Sequence, residues 1–199
     1  MTDWYRRAEW NEEIAADFEA RLARARPSSR AQYLSLQGYA LLGANSEAAE
    51  TLLQRAVSLE DEGELPRACC YLALARVAQG NVDGAIDAYD IAIDSERQNS
   101  RHRSTAGVDR AFLIAVHGRR DLYWTALDQL AMAEGDEWSL AGLEALAAEA
   151  IIRSETGDNQ RAQLRASEAL EQFPPDADDA QWAGISFTAL KSRLEAIAG

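Results

Sequence analysis

The chain repeats itself. When residues 30–63 are laid on residues 66–99, Tyr33, Leu36, Ala49, Leu53 and Ala56 fall on Cys69, Leu72, Ala85, Tyr89 and Ala92, a constant offset of 36 residues. Self-similarity at such a period means that one supersecondary unit recurs, and that a unit buries its apolar face only against its neighbours. Within each segment the apolar residues recur at three and four positions, the helical spacing. This predicts first helices over 30–42 and 67–79, stopped at Gly43 and Gly80. Second helices follow, entered through Ser46 and Asp83 as N-caps.

Further copies lie downstream. Gly157-Asp158-Asn159-Gln160 supplies a turn and Ala162, Ala166 and Ala169 the small residues of a second helix, which Phe173-Pro174-Pro175 ends because proline cannot continue it. Between these lies a degenerate copy, with a first helix over 106–117, a turn over 118–121 and a second helix over 122–133. Either Tyr123 or Ala126 takes its small-residue position. Residues 11–26 place Ile14, Phe18 and Leu22 on one face of an extra helix. Residues 178–198 place Trp182, Ile185, Ala189 and Leu194 on the apolar face of another. Asp178 and Asp179 near its start, and Lys191 and Arg193 near its end, suit the helix dipole. Alanine, about a fifth of the chain, favours helix and close helix packing.

A small residue in each second helix, a large one four later and a small one three after that, behind a glycine turn, resembles the tetratricopeptide repeat. The stretch Gly80-Asn81-Val82-Asp83-Gly84-Ala85-Ile86-Asp87-Ala88-Tyr89 matches best. The resemblance spans about residues 30–175. It implies an all-α fold, an α-solenoid (right-handed superhelix) of about four helical hairpins in a single domain: an N-terminal cap helix in 1–29, repeats over 30–176 and a C-terminal capping helix in 177–199. The departures are an offset of 36 instead of ~34, Gln37 and Ala73 where the family has a mid-helix glycine, and a closing proline in the last copy alone.

The resemblance also implies that a partner peptide binds an inner surface lined by the first helices. The inward positions here are Leu34, Leu41, Arg67, Cys70, Tyr71, Leu74, Val77, Phe112 and Ile151, with Glu144 and Ser154 among the polar ones. Some members clamp carboxylates through Lys, Asn and Arg on these helices. The matching positions hold Ala31, Leu34, Gly38, Tyr71 and Leu74, so a clamp is not expected. A largely apolar groove suits an amphipathic helix or an extended hydrophobic segment, or else the chain's own terminal segments.

The charge balance, 33 Asp and Glu against 20 Lys and Arg for a formal net charge of -13, disfavours nucleic acid and acidic membrane surfaces as partners. Asp83, Asp87, Asp90 and Asp94 share one helix face, either a solvated surface or a docking stripe for a basic partner. Trp4, Tyr5 and Trp10, among the arginines of residues 1–30, form either a second interaction surface or a staple for the first helix. The leading expectation is a non-enzymatic adaptor that binds a protein or peptide. The alternative is an acidic antagonist, such as a bacterial immunity protein that covers a basic toxin. A homodimer built through an apolar terminal helix is compatible with both.

Signals for chemistry are sparse. The histidines are His102, on a connector, and His117, a C-capping residue at the end of a first helix. No Cys-x-x-Cys or His-x-x-x-His pair, glycine-rich phosphate loop or Gly-x-Ser-x-Gly elbow occurs, so no metal, cofactor or catalytic residue is expected. Cys69 and Cys70 are adjacent and on a helix point about 100° apart, which reads as reduced packing residues. With no signal-peptide pattern and no apolar run near the ~20 residues that span a bilayer, the expected location is cytoplasmic.

Overall fold

The small-residue positions organise the packing. The computed structural model describes residues 3–99, 104–133, 142–174 and 181–199, and its contacts divide the chain at Ser104/Thr105 into two compact units. The first unit contains α1 (Glu12–Arg24), α2 (Pro27–Leu41), α3 (Ser46–Val57), α4 (Leu65–Ala78) and α5 (Val82–Gln98). Helices α2 and α3 form one hairpin and α4 and α5 the next. Helix α4 packs on both α2 and α3. The second unit holds α6 (Ala106–Val116), a 3-10 turn over Arg120–Leu122, α7 (Tyr123–Ala133), α8 (Gly142–Thr156), α9 (Asn159–Glu171) and α10 (Phe187–Ala198). There α6 and α8 are the packed first helices, and α10 lies on α8 and α9.

Local chemistry sets the boundaries. Asn11 caps α1 by accepting from the Ile14 amide at 2.9 Å. At the second helices the caps are Asn45, Asn81 and Asp158, accepting from the amides of Ala48, Gly84 and Arg161. Ser46 and Asp83 lie inside the first turns and are not the caps. The residue just ahead of the helix keeps extended or turn geometry, and its short side chain reaches the third amide on, which a residue already in the helix cannot do. Gly80 (φ +74°) and Gly157 (φ +90°) take the left-handed conformation that closes their helices before these caps.

At the hairpin crossings Ala49, Ala56, Ala85, Ala92, Ala162 and Ala169 are all buried. Gly38, not Gln37, stands where α2 meets α3. A Cβ there would lie 2.5 Å from Leu53 Cγ and 3.2 Å from the Ala49 carbonyl oxygen. In the degenerate copy Ala126 is fully buried and Leu130, four residues on, is buried too. Ala126 therefore takes the small position. Tyr123 lies at the start of α7 and donates its hydroxyl to Glu155 at 2.9 Å.

Polar ties reinforce the stack. Arg76 on α4 donates to Glu50 on α3 at 3.0 Å and to the Gly84 carbonyl of α5 at 2.7 Å, with both side chains of the ion pair four-fifths buried. Arg55 grips Glu19 of the cap helix with two hydrogen bonds, 2.5 and 3.0 Å.

The C-terminal region departs from the expected continuous helix. Gln181–Trp182 and Ile185–Ser186 pair as an antiparallel hairpin around Ala183 (φ +50°) and Gly184 (φ +81°), and the helix begins only at Phe187. Two consecutive positive φ values make the tight turn that joins antiparallel strands, and a helix cannot pass through it. Ser186 caps α10 through the Ala189 amide, which leaves Ala189 exposed, while Leu190 and Leu194 form the buried face. Asp178 and Asp179 lie outside the described residues, as does His102.

Ala85 is fully buried at its crossing. Ala85→Leu is expected to destabilise the fold by ~1–3 kcal/mol by overpacking the crossing, read as a lowered midpoint in chemical denaturation. An unchanged midpoint removes Ala85 from the contact.

Candidate functional site

Packing α2 beside α4 fixes which residues a partner can reach on the first unit. Tyr39 of α2 and Tyr71 of α4 stack with ring centroids 4.4 Å apart, although Tyr39 stays 51% exposed. One turn along α4, Leu74 is 36% exposed. Arg67 lies one turn the other way and is also exposed, its guanidinium held by the buried Glu64 through two hydrogen bonds. Burial pushes the Tyr71 hydroxyl above its usual value, so it remains a neutral donor at physiological pH. Two aromatics, a leucine and an arginine thus meet on adjacent first helices.

Of the inward positions expected from sequence, Arg67, Tyr71, Leu74 and Val77 are at least partly accessible. Leu34, Leu41, Cys70, Phe112 and Ile151 are instead buried and closed to a partner. Glu144 is also buried. The physical reason is that an apolar residue at helical spacing on a first helix meets its own hairpin partner or the next hairpin before it meets solvent. Tyr39 was not among the expected positions. Its signal is a large aromatic outside the buried stripe of α2.

The N-terminal aromatics act as a staple. Trp4 packs on Phe18 and Tyr33 with centroids 5.4 and 4.9 Å away, Tyr5 stacks on Tyr33 at 4.7 Å, and Trp10 meets Phe18 edge-on at 5.7 Å. The fully buried Gln37 fixes this segment to α2. Its side-chain oxygen accepts from the Arg7 amide at 3.0 Å and its side-chain nitrogen donates to the Arg7 carbonyl at 2.7 Å. Trp4, Tyr5 and Trp10 remain only partly accessible. On α5, Asp83, Asp87 and Asp94 are exposed and Asp90 is half-buried, with Asp94 paired to Arg97 at 3.1 Å.

Reactive groups are few among the described residues. Burial pushes the Cys69 thiol up to about 12, so it carries almost no thiolate at neutral pH. Cys70 is also a free thiol and donates to the Ser104 hydroxyl at 3.4 Å. Asp109 on α6 accepts from Thr105 at 2.8 Å and is hydrogen-bonded to Glu144 on α8. Burial raises its carboxyl above the usual range where α6 packs on α8. His117 does follow α6 as its C-cap residue, and its Nε2–H donates to the Ala183 carbonyl at 2.8 Å. Among the described residues no group of three or more His, Cys, Asp and Glu is placed to hold a metal ion, and no helix is long and apolar enough to cross a membrane.

A second polar junction joins α8 to α7 and α10. Glu155 at the end of α8 receives Tyr123 at 2.9 Å, Arg120 at 3.0 Å and Arg193 of α10 at 2.7 Å. Partial burial alone would push its carboxyl up. The hydrogen bonds from Tyr123 and Arg120 and the charges of Arg193 and Arg120 outweigh this and hold it below the usual carboxylate range.

No family model, curated protein or solved structure matches this chain.

Because the folded carboxyl of Glu155 titrates below its unfolded value of about 4.3, its stabilisation is present above that pH and is lost as pH falls through the folded value. Glu155→Gln is expected to lower Tm most above about pH 5, with the gap to wild type closing towards pH 3. A gap that does not vary with pH contradicts the junction.

Proposed function

We propose that the chain is a non-enzymatic, tetratricopeptide-like adaptor that binds an apolar peptide or amphipathic helix on the α2–α4 face of its first unit. The observation that carries this reading is the Tyr39–Tyr71 stack, solvent-facing on two adjacent first helices and flanked by Leu74 and Arg67. Tyr and Arg dominate interface hot spots, because a rigid ring or a planar guanidinium gives much contact area for little lost entropy. A pre-stacked pair needs no further ordering when a partner arrives.

The repeat arithmetic and hairpin order support the tetratricopeptide-like reading. Each hairpin ends its first helix at a turn, caps its second with Asn or Asp where a cap is formed, and places small residues at the crossing. The same order lays first helices side by side within each unit. The inert Cys69 and the structural use of Glu155 and His117 support a binding role over a catalytic one.

Peptides selected from a random library on the immobilised protein test this. Tyr71→Ala and Leu74→Glu are each expected to weaken the selected peptides at least tenfold while leaving helical circular dichroism unchanged. Asp87→Lys with Asp94→Lys on the acidic face of α5 leaves binding intact. Retained binding in the first pair moves the site off α2–α4. Loss confined to the aspartate variant, with strong salt dependence, favours the acidic-antagonist reading instead.

A further inference from the structure

The second unit has a pocket of a different chemistry. Residues of α7, α8 and α9 line an open pocket of about 380 Å3, near the small end of the range for small-ligand sites. Leu127 and Leu130 of α7 face Leu164 of α9, which is 57% exposed although it is a leucine. The remaining wall is ionic and includes Glu149. Arg153, Arg161 and Arg165 all line the cavity, three of the eight Arg and Lys residues in 105–199 of a chain whose net charge is -13. This convergence of three arginines on one apolar-sided pocket is the signal.

The three guanidiniums are not equivalent. Glu149 lies on the floor, accepting from Arg153 Nε at 2.5 Å and pairing with Arg165 Nε at 2.7 Å. Those contacts fix the planes of both guanidiniums. Arg153 also donates to Asp158 at 2.9 Å, and Arg165 to Glu168 at 2.9 Å. Arg161 is held loosely, 3.9 Å from Asp158 and two-thirds exposed. An incoming anion thus meets an exposed, loosely paired guanidinium at Arg161 beside a doubly paired one at Arg165. A guanidinium matches a carboxylate in two parallel hydrogen bonds.

The geometry points to a binding site for a small amphiphilic monocarboxylate, its head on Arg161 and Arg165 and its aliphatic or aromatic body on Leu127, Leu130 and Leu164. The single charge follows from the surroundings. Glu149, Asp158 and Glu168 match the three arginines one for one, so a dianionic phosphate meets more repulsion than a carboxylate does. The apolar wall excludes acetate-sized anions as good ligands, because they leave the leucines wet. The pocket lies on second helices, α7 and α9, and on α8, so it is independent of the α2–α4 face proposed above.

Calorimetric titration of the full chain with octanoate, octanol, acetate and octyl phosphate decides the chemistry. A peptide with an apolar C-terminal residue, as free acid and as amide, distinguishes a free metabolite from a chain terminus as the source. Saturable one-to-one binding of octanoate or of the free-acid peptide is expected, at least tenfold tighter than octanol, acetate, octyl phosphate or the amide. Arg161→Ala and Leu164→Ser, both at exposed positions, are each expected to weaken it at least fivefold with unchanged circular dichroism. No saturable binding of either carboxylate overturns the site. So does octanol or octyl phosphate binding as tightly as octanoate, or full affinity in both variants.

Discussion

Two helices of a hairpin can approach only as closely as the side chains at their crossing permit, and in this chain that distance is set by alanine and glycine. Gly38 lies against Leu53, and Ala49, Ala85, Ala126 and Ala162 are buried in the second helices. Once the crossing is close, Leu53, Tyr89 and Leu130, one turn further on, are carried into the interior and add apolar burial. The small residue and the large one therefore act together. Replacing the first moves the second.

The same constraint decides what is left for function. Close packing draws Leu34, Leu41, Phe112 and Ile151 inward, although their spacing alone is equally compatible with a groove. What remains accessible is what the crossings do not need: the Tyr39–Tyr71 pair and Leu74 in the first unit, and the arginines and Leu164 between α7 and α9 in the second. The acidity is spent in two ways. Glu50, Glu149 and Glu155 hold arginines of neighbouring helices and tie them together, and Glu64, just ahead of α4, holds Arg67 of that helix, whereas Asp87 and Asp94 face water along α5.

Much of the helical framework was legible because the pattern of small, large, small is a direct consequence of a crossing and appears in the sequence at fixed intervals. The hairpins over 30–99 and the second helix that ends at Phe173 follow from it. The Ala183-Gly184 turn did not, since a period-3.6 pattern of Trp182, Ile185 and Ala189 runs straight through a position where the backbone reverses. The caps were displaced by one or two residues because Asn45 and Asn81, read as turn residues, also have the side-chain reach to cap. The aromatic face was half legible. Tyr71 and Leu74 were reached through the resemblance, while Tyr39 becomes their neighbour only when α2 and α4 are packed side by side. The arginine pocket was not legible, because Arg153, Arg161 and Arg165 come from two helices and converge only in three dimensions.

The close crossing of α2 on α3 is most directly tested by nuclear Overhauser contacts in protein with isotope-labelled leucine methyls and glycine. Strong cross-peaks from the Leu53 methyls to the Gly38 α-protons are predicted, because a Cβ at Gly38 would sit 2.5 Å from Leu53 Cγ. A Gly38 signal with no methyl contacts and rapid amide exchange with solvent would contradict the account at its base.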